Sequence, residues 1–354
     1  MTVDKKQLHR MDLPDTVIVG YNLLDKLSTV YEGIENNLNR TLIITGPNVF
    51  KKIKERIDGK LLRKSRIEYA LEATWEEINR IVSIVKRIGE DINLIMGLGG
   101  GRVIDVAKMV AYKTNKFFVS VPTTASHDGI ASQFVSIRGG DRAYSYSTRP
   151  PNAVIVDMDI ILTSPKELIT SGVGDAIAKI TAVEDWRLAR DRVGEYYGEY
   201  AANLSLLGAK LVIENAEGIG NGDEDSIRTL VEALISDGVA AGIAGSSRPC
   251  SGSEHLFSHA LDLYGKKQAL HGHQVGVGTI IMSYLHGLDY QLIMDTLRKV
   301  GAPTNHKELN LPPDDIITAL VKAKYIRPDR YTILNEVEMS KDLAITITKK
   351  LNIL

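Results

Sequence analysis

Four of the eight histidines in this 354-residue chain lie between His255 and His273, and such a concentration favours a shared chemical role. His255 and His259 are spaced at i and i+4, which places both rings on one face of a helix. His271 and His273 follow in a stretch that the pattern predicts to be a loop before the next helix. Imidazole nitrogens bind zinc and iron(II), so the cluster indicates a metal site.

A carboxylate partner for these histidines is predicted at Asp175, in the sequence TSGVGDA at a predicted helix start. A simple helix cap is the alternative interpretation of this aspartate. One aspartate and two histidines would leave a tetrahedral ion with an open position for substrate. The spacing is not that of H-E-x-x-H, and Glu254 is predicted to point away from the two histidines. Cys250 is the single cysteine, which excludes a disulfide and a cysteine-based zinc site.

A second chemical signal is the glycine run at 99–101, between the predicted strand 93–98 and a predicted helix. Glycines let the backbone approach a phosphate, and a helix N-terminus offers free N–H groups. The run is neither G-x-G-x-x-G nor a Walker loop, and a sharp turn that binds nothing is the alternative. Asn48 follows the second predicted strand and is a candidate contact for an adenosine ribose, or else a turn residue. It is uncharged, so a 2′-phosphate is not excluded.

These residues must be positioned by two kinds of structure. In residues 1–160, short apolar runs alternate with helical patterns, which predicts a doubly wound α/β domain with a parallel sheet. Thr74 and Glu77 predict a capping box at the start of one helix. In residues 161–354 the strand patterns cease and helices are predicted at 174–190, 196–217, 225–244, 253–263, 275–286 and 314–323. The strands are predicted at 16–19, 41–45, 66–71, 93–98, 117–121 and 153–156, with a hairpin formed by 133–138 and 143–148 around Gly139–Asp141.

Composition excludes several classes of protein. Lysine and arginine total 43 and aspartate and glutamate total 44, so the net charge of −1 argues against nucleic-acid binding. No apolar stretch is long enough to span a bilayer, and the N-terminus lacks the apolar core of a signal peptide. We therefore expect a cytoplasmic protein with no membrane insertion, and a homo-oligomer, dimer or higher, as is common for glycine-rich α/β dehydrogenases.

Several motifs together resemble one family: GGGRVID at 99–105, PTTASHDGIAS at 122–132, GVGD at 172–175, GSSRPCSGSEH at 245–255, and His271-Gly272. They are similar to the group that contains glycerol dehydrogenase, iron-dependent alcohol dehydrogenases and dehydroquinate synthase. The stretches 122–132 and 245–255 more narrowly resemble the sn-glycerol-1-phosphate dehydrogenases, which make the backbone of archaeal ether lipids.

The resemblance implies a dehydroquinate synthase-like fold, with an N-terminal Rossmann-like α/β domain and an all-α C-terminal domain. It implies one zinc ion per subunit, bound by Asp175, His255 and His271. The family often has an acidic residue where this chain has His273, and His271 is favoured as the ligand because His-Gly matches the motif. Substrate contacts are implied for Asp128, Asp175 and His259, with Asp128 and His259 catalytic. The residues implied to bind NAD(H) or NADP(H), together with Asn48, are Gly99, Gly100, Gly101, Arg102, Val103, Ile104, Asp105, Thr123, Thr124, Ala125, Ser126 and Ser132.

The implied reaction is reduction of dihydroxyacetone phosphate to sn-glycerol 1-phosphate by NADH or NADPH. Hydride addition builds negative charge on the C2 oxygen, which a divalent cation stabilises as a Lewis acid. His259, whose imidazole is expected to titrate near the working pH, or a relay through Asp128 and solvent, would supply the proton. The hydroxyl-rich stretch before His255 could bind the phosphate or be a solvated loop; its polar residues are Ser246, Ser247, Arg248, Ser251 and Ser253.

Three other functions stay open at this stage. A glycerol dehydrogenase would act on the unphosphorylated substrate. A dehydroquinate-synthase-like lyase would need lysines and arginines around a polyanion, and 122–132 contains none. A non-catalytic NAD-binding regulator has no chemical need for Asp128, Asp175, His255 and His259 together.

Overall fold

The computed structural model describes residues 9–137 and 145–354. Its main sheet is entirely parallel, with the strand order β1-β8-β5-β4-β2-β3. Every residue of β2, β4 and β8 is buried, as expected for strands covered by helices on both faces. The strands of this sheet are β1 (Thr16–Gly20), β2 (Thr41–Thr45), β3 (Arg66–Tyr69), β4 (Leu94–Gly99), β5 (Phe117–Pro122) and β8 (Ala153–Asp157).

Two apolar clusters bury the two faces of this sheet. Ile43, Met96 and Val119 pack on one face, and Ile44 and Ile95 pack on the other against the long helices α5 and α6. The α/β fold predicted for this half is therefore confirmed. The helices of this half are α1 (Leu27–Val30), α2 (Glu32–Glu35), α3 (Pro47–Ile53), α4 (Gly59–Lys64), α5 (Trp75–Ile88) and α6 (Gly101–Thr114).

The predicted capping box of α5 is only half formed. The Thr74 hydroxyl oxygen accepts a hydrogen bond from the Glu77 N–H at 3.3 Å. The Glu77 carboxylate, however, accepts from the Leu71 N–H at 2.9 Å and not from Thr74. The prediction was wrong in this respect because the chain enters the helix by a bend that brings Leu71 within reach.

The second half of the chain is helical, as expected. After α7, which covers Met158–Ile161, no further strand is present among the described residues. The largest apolar cluster lies here and extends onto Val154 and Val156 of β8, so the helices pack directly on the sheet. The division at residues 160 and 161 stays a prediction. The later helices are α8 (Lys166–Ile177), α9 (Lys179–Val193), α10 (Glu199–Glu214), α11 (Ala216–Asn221), α12 (Glu224–Ala244), α13 (Ser253–Tyr264), α14 (His271–His286), α15 (Tyr290–Val300), α16 (Pro313–Lys322), α17 (Ile333–Glu336) and α18 (Lys341–Lys350).

The predicted hairpin near the boundary is present as a short antiparallel pair. β6 (Phe134–Ser136) pairs with β7 (Ser145–Ser147) in the register Val135 opposite Tyr146. The predicted turn at Gly139–Asp141 lies outside the described residues. Among the residues that the structure describes, no helix combines the length and the apolar character needed to cross a membrane.

Two helix boundaries differ from the prediction. Asp175 lies near the C-terminal end of α8 and not at a helix start, because α8 begins at Lys166 and α9 begins at Lys179. His271 is the first residue of α14 and not part of a loop. The glycines at 172 and 174 suggested a turn, but both lie inside α8.

These glycines are inside a helix because two other backbones approach them closely. A Cβ at Gly174 would lie 2.0 Å from the carbonyl oxygen of Gly272, and one at Gly172 would lie 2.0 Å from that of Ala125. The contact between Gly174 and Gly272 brings α8 against α14. It therefore places Asp175, on the first helix, close to His271, on the second.

We expect Gly174→Ala to destabilise the protein by about 1–3 kcal/mol or more, because backbone atoms cannot move aside as a side chain can. Separation of α8 from α14 should also weaken metal binding. The measurement is urea unfolding of the metal-free protein, followed by zinc titration. Gly20→Ala is a matched control, since a Cβ there has its nearest neighbour at an ordinary 3.5 Å. Equal stability of the two variants would contradict the proposed close packing.

Candidate active site

Three helices bring a carboxylate and two imidazoles to one point. Asp175 on α8, His255 on α13 and His271 on α14 each offer a ligand atom, and these atoms all lie within 4.8 Å of one another. His255 Nε2 is 3.4 Å from Asp175 Oδ1. Among the described residues, this is the group whose composition and spacing could hold a metal ion. The set of one oxygen and two nitrogen donors fits zinc or iron(II) with a free coordination position.

His255 is oriented by its neighbour in the chain. Its Nδ1 is 2.7 Å from Glu254 Oε1, and Glu254 is further fixed by the Thr181 hydroxyl at 2.8 Å and the Gly252 N–H at 2.6 Å. The expectation that Glu254 points away was therefore wrong, because its side chain folds back onto the adjacent residue. A carboxylate that accepts Nδ1–H leaves Nε2 free to bind a metal, an arrangement common to metal-binding histidines.

The protonation of Asp175 and His271 suits a cation, and that of His255 depends on two neighbouring carboxylates. Burial alone would raise the pKa of Asp175, but Lys179 and the hydrogen bond from His255 lower it well below its ordinary value. Burial and the neighbouring His255 hold the pKa of His271 well below its ordinary value. Burial would lower the pKa of His255, but hydrogen bonds to Asp175 and Glu254 outweigh it and raise this pKa. A metal at Nε2 would therefore compete with a proton for His255.

His271 and His273 have different surroundings. His271 Nδ1 is 3.2 Å from the Ser258 hydroxyl, which itself donates to Gln274 at 2.8 Å, so Nδ1–H donates and Nε2 is free. His273 Nε2 instead contacts the Thr170 hydroxyl at 2.8 Å and is not part of the group around Asp175. The structure thus brings His271 to the metal group, in agreement with the choice made from the motif.

A buried lysine links two of the predicted functional carboxylates. Lys179 Nζ lies 3.0 Å from Asp128 Oδ2 and 3.3 Å from Asp175 Oδ2, and its side chain is fully buried. The Asp128 N–H also donates to Asp175 Oδ2 at 2.9 Å. Burial would lower the pKa of Lys179, but Asp128 and Asp175 raise it well above its ordinary value, so the ammonium persists. Sequence reasoning missed Lys179; its spacing of i+4 from Asp175 on a continuous helical pattern was the available signal.

His259 lies beside the metal group, as expected. Its ring is roughly stacked on that of His271, with centroids 5.9 Å apart, and the residue is buried. Burial, with His255, Arg330 and Arg327 adding to it, lowers its pKa to about 3. The expectation that His259 titrates near the working pH was therefore wrong, since burial disfavours the charged ring. The neutral imidazole is still able to form hydrogen bonds with a substrate.

A cavity of about 980 Å³ connects the metal group to the glycine run and contains residues of both halves of the chain. Asp128, Asp175, His255, His259 and His271 line its metal end. The predicted cofactor residues on its wall are Asn48, Gly100, Gly101, Arg102, Val103, Asp105, Thr124, Ser126 and Ser132.

Four predicted cofactor residues are not on the cavity wall. Gly99 and Ile104 are buried, the first in β4 and the second in the core of α6. The Thr123 N–H donates to the Gly99 carbonyl oxygen at 3.0 Å, and Ala125 packs against Gly172. These positions shape the turns of the cavity wall, and only their neighbours face the cavity.

The N-terminus of α6 faces the cavity without a side-chain cap. Gly100 is the N-cap residue, and no side chain accepts from the first-turn N–H groups. Such a helix end suits a phosphate group. His127, which sequence reasoning missed, covers this end: a Cβ at Gly101 would lie 1.8 Å from its Nε2. His127 could have been identified from the sequence by its position within the motif at 122–132.

The segment that carries Asp128 is held by two buried charged residues of α6. Lys108 Nζ donates to the carbonyl oxygens of Gly129, Ser132 and Phe134 at 2.7, 2.6 and 3.0 Å. Burial lowers the pKa of this lysine to about 8. Asp105 Oδ2 accepts from the Ser136 N–H at 3.0 Å, so this predicted cofactor residue also has a structural role.

Comparison with known proteins identifies the fold and the family. Residues 18–165 match the model of the iron-containing alcohol dehydrogenase family. A solved structure of a probable glycerol dehydrogenase from Sinorhizobium meliloti superposes with a TM-score of 0.77 at 20% identity, covering 98% of this chain and 100% of that one. Glycerol dehydrogenase from Schizosaccharomyces pombe gives 0.78 at 19% identity, with 97% and 91% covered. The chain thus has the fold of the iron-containing alcohol dehydrogenases, and residues 18–165 match the model of that family.

Relatives with higher sequence identity identify the family within this fold. The chain is 49% identical over 344 residues to a protein of Thermococcus sibiricus named as an NAD(P)+-dependent glycerol-1-phosphate dehydrogenase, covering 95% of this chain and 96% of that one. Proteins of the same name from Hyperthermus butylicus and Aeropyrum pernix are 47% and 44% identical, with 95% and 98% of this chain covered and 97% and 99% of theirs. The chain belongs to the glycerol-1-phosphate dehydrogenase family of NAD(P)-dependent oxidoreductases.

Proposed function

We propose that this protein reduces dihydroxyacetone phosphate to sn-glycerol 1-phosphate with NADH or NADPH. The observation that carries the proposal is a cavity with Asp175, His255 and His271 at one end and the N-terminus of α6, whose N–H groups no side chain caps, at the other. The first end suits a metal ion that binds a carbonyl oxygen, and the second suits the diphosphate of a dinucleotide. The names of the relatives agree with this substrate and cofactor.

Zinc is the proposed metal, one ion per subunit, held by Asp175, His255 and His271. When bound there, the cation supplies Lewis-acid stabilisation of the negative charge that develops on the C2 oxygen during hydride transfer. Glu254 holds His255 in the tautomer that binds a metal, and Ser258 does the same for His271. The three ligands come from α8, α13 and α14, and α14 packs against both other helices, so this packing positions the site.

The residues around this site orient the substrate and move its proton. Asp128, fixed by Lys179, lines the cavity and can accept a hydrogen bond from a substrate hydroxyl. His259 can donate from its neutral ring. Burial disfavours the imidazolium of His259, so we propose that a solvent molecule oriented by Asp128 supplies the proton to the product oxygen.

The product of this reaction would supply the backbone of archaeal ether lipids. This role, the choice between NADH and NADPH, zinc as the ion, and a location in the cytoplasm stay predictions. Assembly into a homo-oligomer, dimer or higher, also stays a prediction.

The reaction is tested by oxidation of NADPH or NADH in the presence of dihydroxyacetone phosphate, with unphosphorylated dihydroxyacetone as the comparison. We expect turnover of the phosphorylated substrate, and sn-glycerol 1-phosphate on chiral analysis of the product. Equal or faster turnover of dihydroxyacetone would favour glycerol dehydrogenase, whose fold the solved structures share. Formation of sn-glycerol 3-phosphate would refute the proposed stereochemistry. An Asp128→Asn variant is the control for enzyme-dependent turnover.

A further inference from the structure

Arg330 is a buried cation without a carboxylate partner. It is 6% exposed, and none of the described aspartates or glutamates forms an ion pair with it. Its guanidinium instead donates to the Ser251 carbonyl oxygen and, at 2.8 Å, to the Ser247 hydroxyl oxygen. Burial, with Arg327 and Arg248 adding to it, lowers its pKa to about 9, so it remains charged at neutral pH. Glu195 and Glu254 act on this charge without a direct ion pair, and an anion that binds nearby would stabilise it further.

The contact with Arg330 determines which way the Ser247 hydroxyl can act. A guanidinium only donates, so Ser247 Oγ must accept, and its own O–H is left to donate elsewhere. Among the described residues, no acceptor for this O–H is found. Ser247 and Ser251 both line the cavity that contains His255 and His259. Ser247 thus lies on the cavity wall with a hydroxyl proton available to donate, and its oxygen is 2.8 Å from the Arg330 guanidinium.

The other polar residues of this loop have partners of their own. Arg248 donates through Nε and Nη2 to the two carboxylate oxygens of Glu195. Its Nη1 donates to the Tyr331 carbonyl oxygen at 2.8 Å. The Ser253 side chain is fully buried, away from the cavity wall, and its N–H donates to Asp185 at 2.6 Å. Ser246 accepts from the Arg248 N–H and does not line the cavity. Ser247 and Ser251 are the hydroxyls of the loop that face the cavity.

We propose that Ser247 and Ser251 bind the phosphate group of the substrate, and that Arg330 is the positioning residue that orients Ser247 and supplies the positive charge. This inference rests on the proposed function, since it names how that substrate is distinguished from its unphosphorylated counterpart. In dihydroxyacetone phosphate the phosphate is carried on the carbon next to the carbonyl. The loop directly precedes the helix that carries His255, so both groups of one small molecule can be engaged together.

The test compares Ser247→Ala, Arg330→Met and Arg330→Lys in the zinc-loaded enzyme at saturating NADPH. A hydrogen bond to a charged group predicts that Ser247→Ala raises the KM for dihydroxyacetone phosphate about 10- to 100-fold. We expect little change in kcat or in turnover of dihydroxyacetone. Arg330→Met should raise this KM further than Ser247→Ala does. Arg330→Lys should raise it less than Arg330→Met, because lysine keeps the positive charge. Inorganic phosphate, added as a competitor, should inhibit the wild type more strongly than Ser247→Ala.

Ser246→Ala is the matched control, since it removes a hydroxyl from the same loop that does not face the cavity. If the wild type prefers the phosphorylated substrate but Ser247→Ala behaves like Ser246→Ala, this phosphate site is wrong and the proposed function stands. The phosphate site is also refuted if Ser247→Ala loses activity equally with dihydroxyacetone phosphate and dihydroxyacetone, or if it changes only the KM for NADPH. If the wild type shows no preference for the phosphate, the proposed function itself fails.

Discussion

His271→Ala should lose tightly bound zinc and about a thousandfold in turnover, whereas His273→Ala should keep both. The metal is expected to supply several kcal/mol of transition-state stabilisation, and each tenfold in rate corresponds to about 1.4 kcal/mol. His271 lies in the metal group, while His273 lies outside it and is hydrogen-bonded to Thr170. The measurement is zinc content by elemental analysis after dialysis, followed by turnover of dihydroxyacetone phosphate.

The two histidines are matched controls for each other, because they are two positions apart in the same helix. His273→Ala should cost about 1 kcal/mol of stability from its lost hydrogen bond. Zinc retained by His271→Ala and lost by His273→Ala would assign the ligand to the other histidine. Loss of zinc in both variants would indicate that the start of α14, and not one ligand, holds the ion.

Lys179→Met should destabilise the zinc-free protein by about 3–5 kcal/mol, because it leaves Asp128 and Asp175 without their buried counter-charge. The lowered pKa of Asp175 means that its contribution is present above its unfolded pKa of about 3.9 and is lost as the pH falls. The stability difference between wild type and variant should therefore be large at pH 7 and shrink on acidification. Urea unfolding at a series of pH values measures it.

A second variant separates the role of charge from that of packing. In the double variant Lys179→Met/Asp128→Asn, one of the two stranded carboxylates is neutral, so part of the lost stability should return. If Asp128→Asn lowers the free energy of unfolding by the same amount with and without Lys179, the two side chains are not coupled. A difference between wild type and Lys179→Met that does not shrink as the pH falls below about 3.9 would likewise contradict an electrostatic cause.

Much of the fold could be predicted because its signals are local. Continuous apolar runs such as 41–45 and 153–156 predicted buried parallel strands, and both are fully buried. The glycines at 172 and 174 were harder to interpret. A glycine inside a helix and a glycine at a turn are identical in sequence, and only the backbone of α14 shows why Gly174 has no side chain.

The residues of the candidate site could also be predicted from the sequence only in part. Asp175, His255 and His271 were selected from residue types and motifs, and the structure brings them together. Glu254 was misjudged because helical spacing gives the direction of a Cα–Cβ bond but not the rotamer beyond it. His259 was expected to titrate near neutral pH, which holds for a solvated imidazole. Burial instead destabilises the charged ring relative to the neutral one and so lowers its pKa.

The sequence by itself determined the kinds of atom available for chemistry. With one cysteine in the chain, a metal had to be held mainly by oxygen and nitrogen donors, and the glycine run predicted a phosphate-binding turn. Tertiary structure alone decided the charges around those donors. Lys179 meets Asp128 from 51 positions away, and Arg330 meets Ser247 from 83 positions away. Such pairs have no local signature, because their interaction depends on distance in space and on exclusion of water, and both arise only when the helices pack.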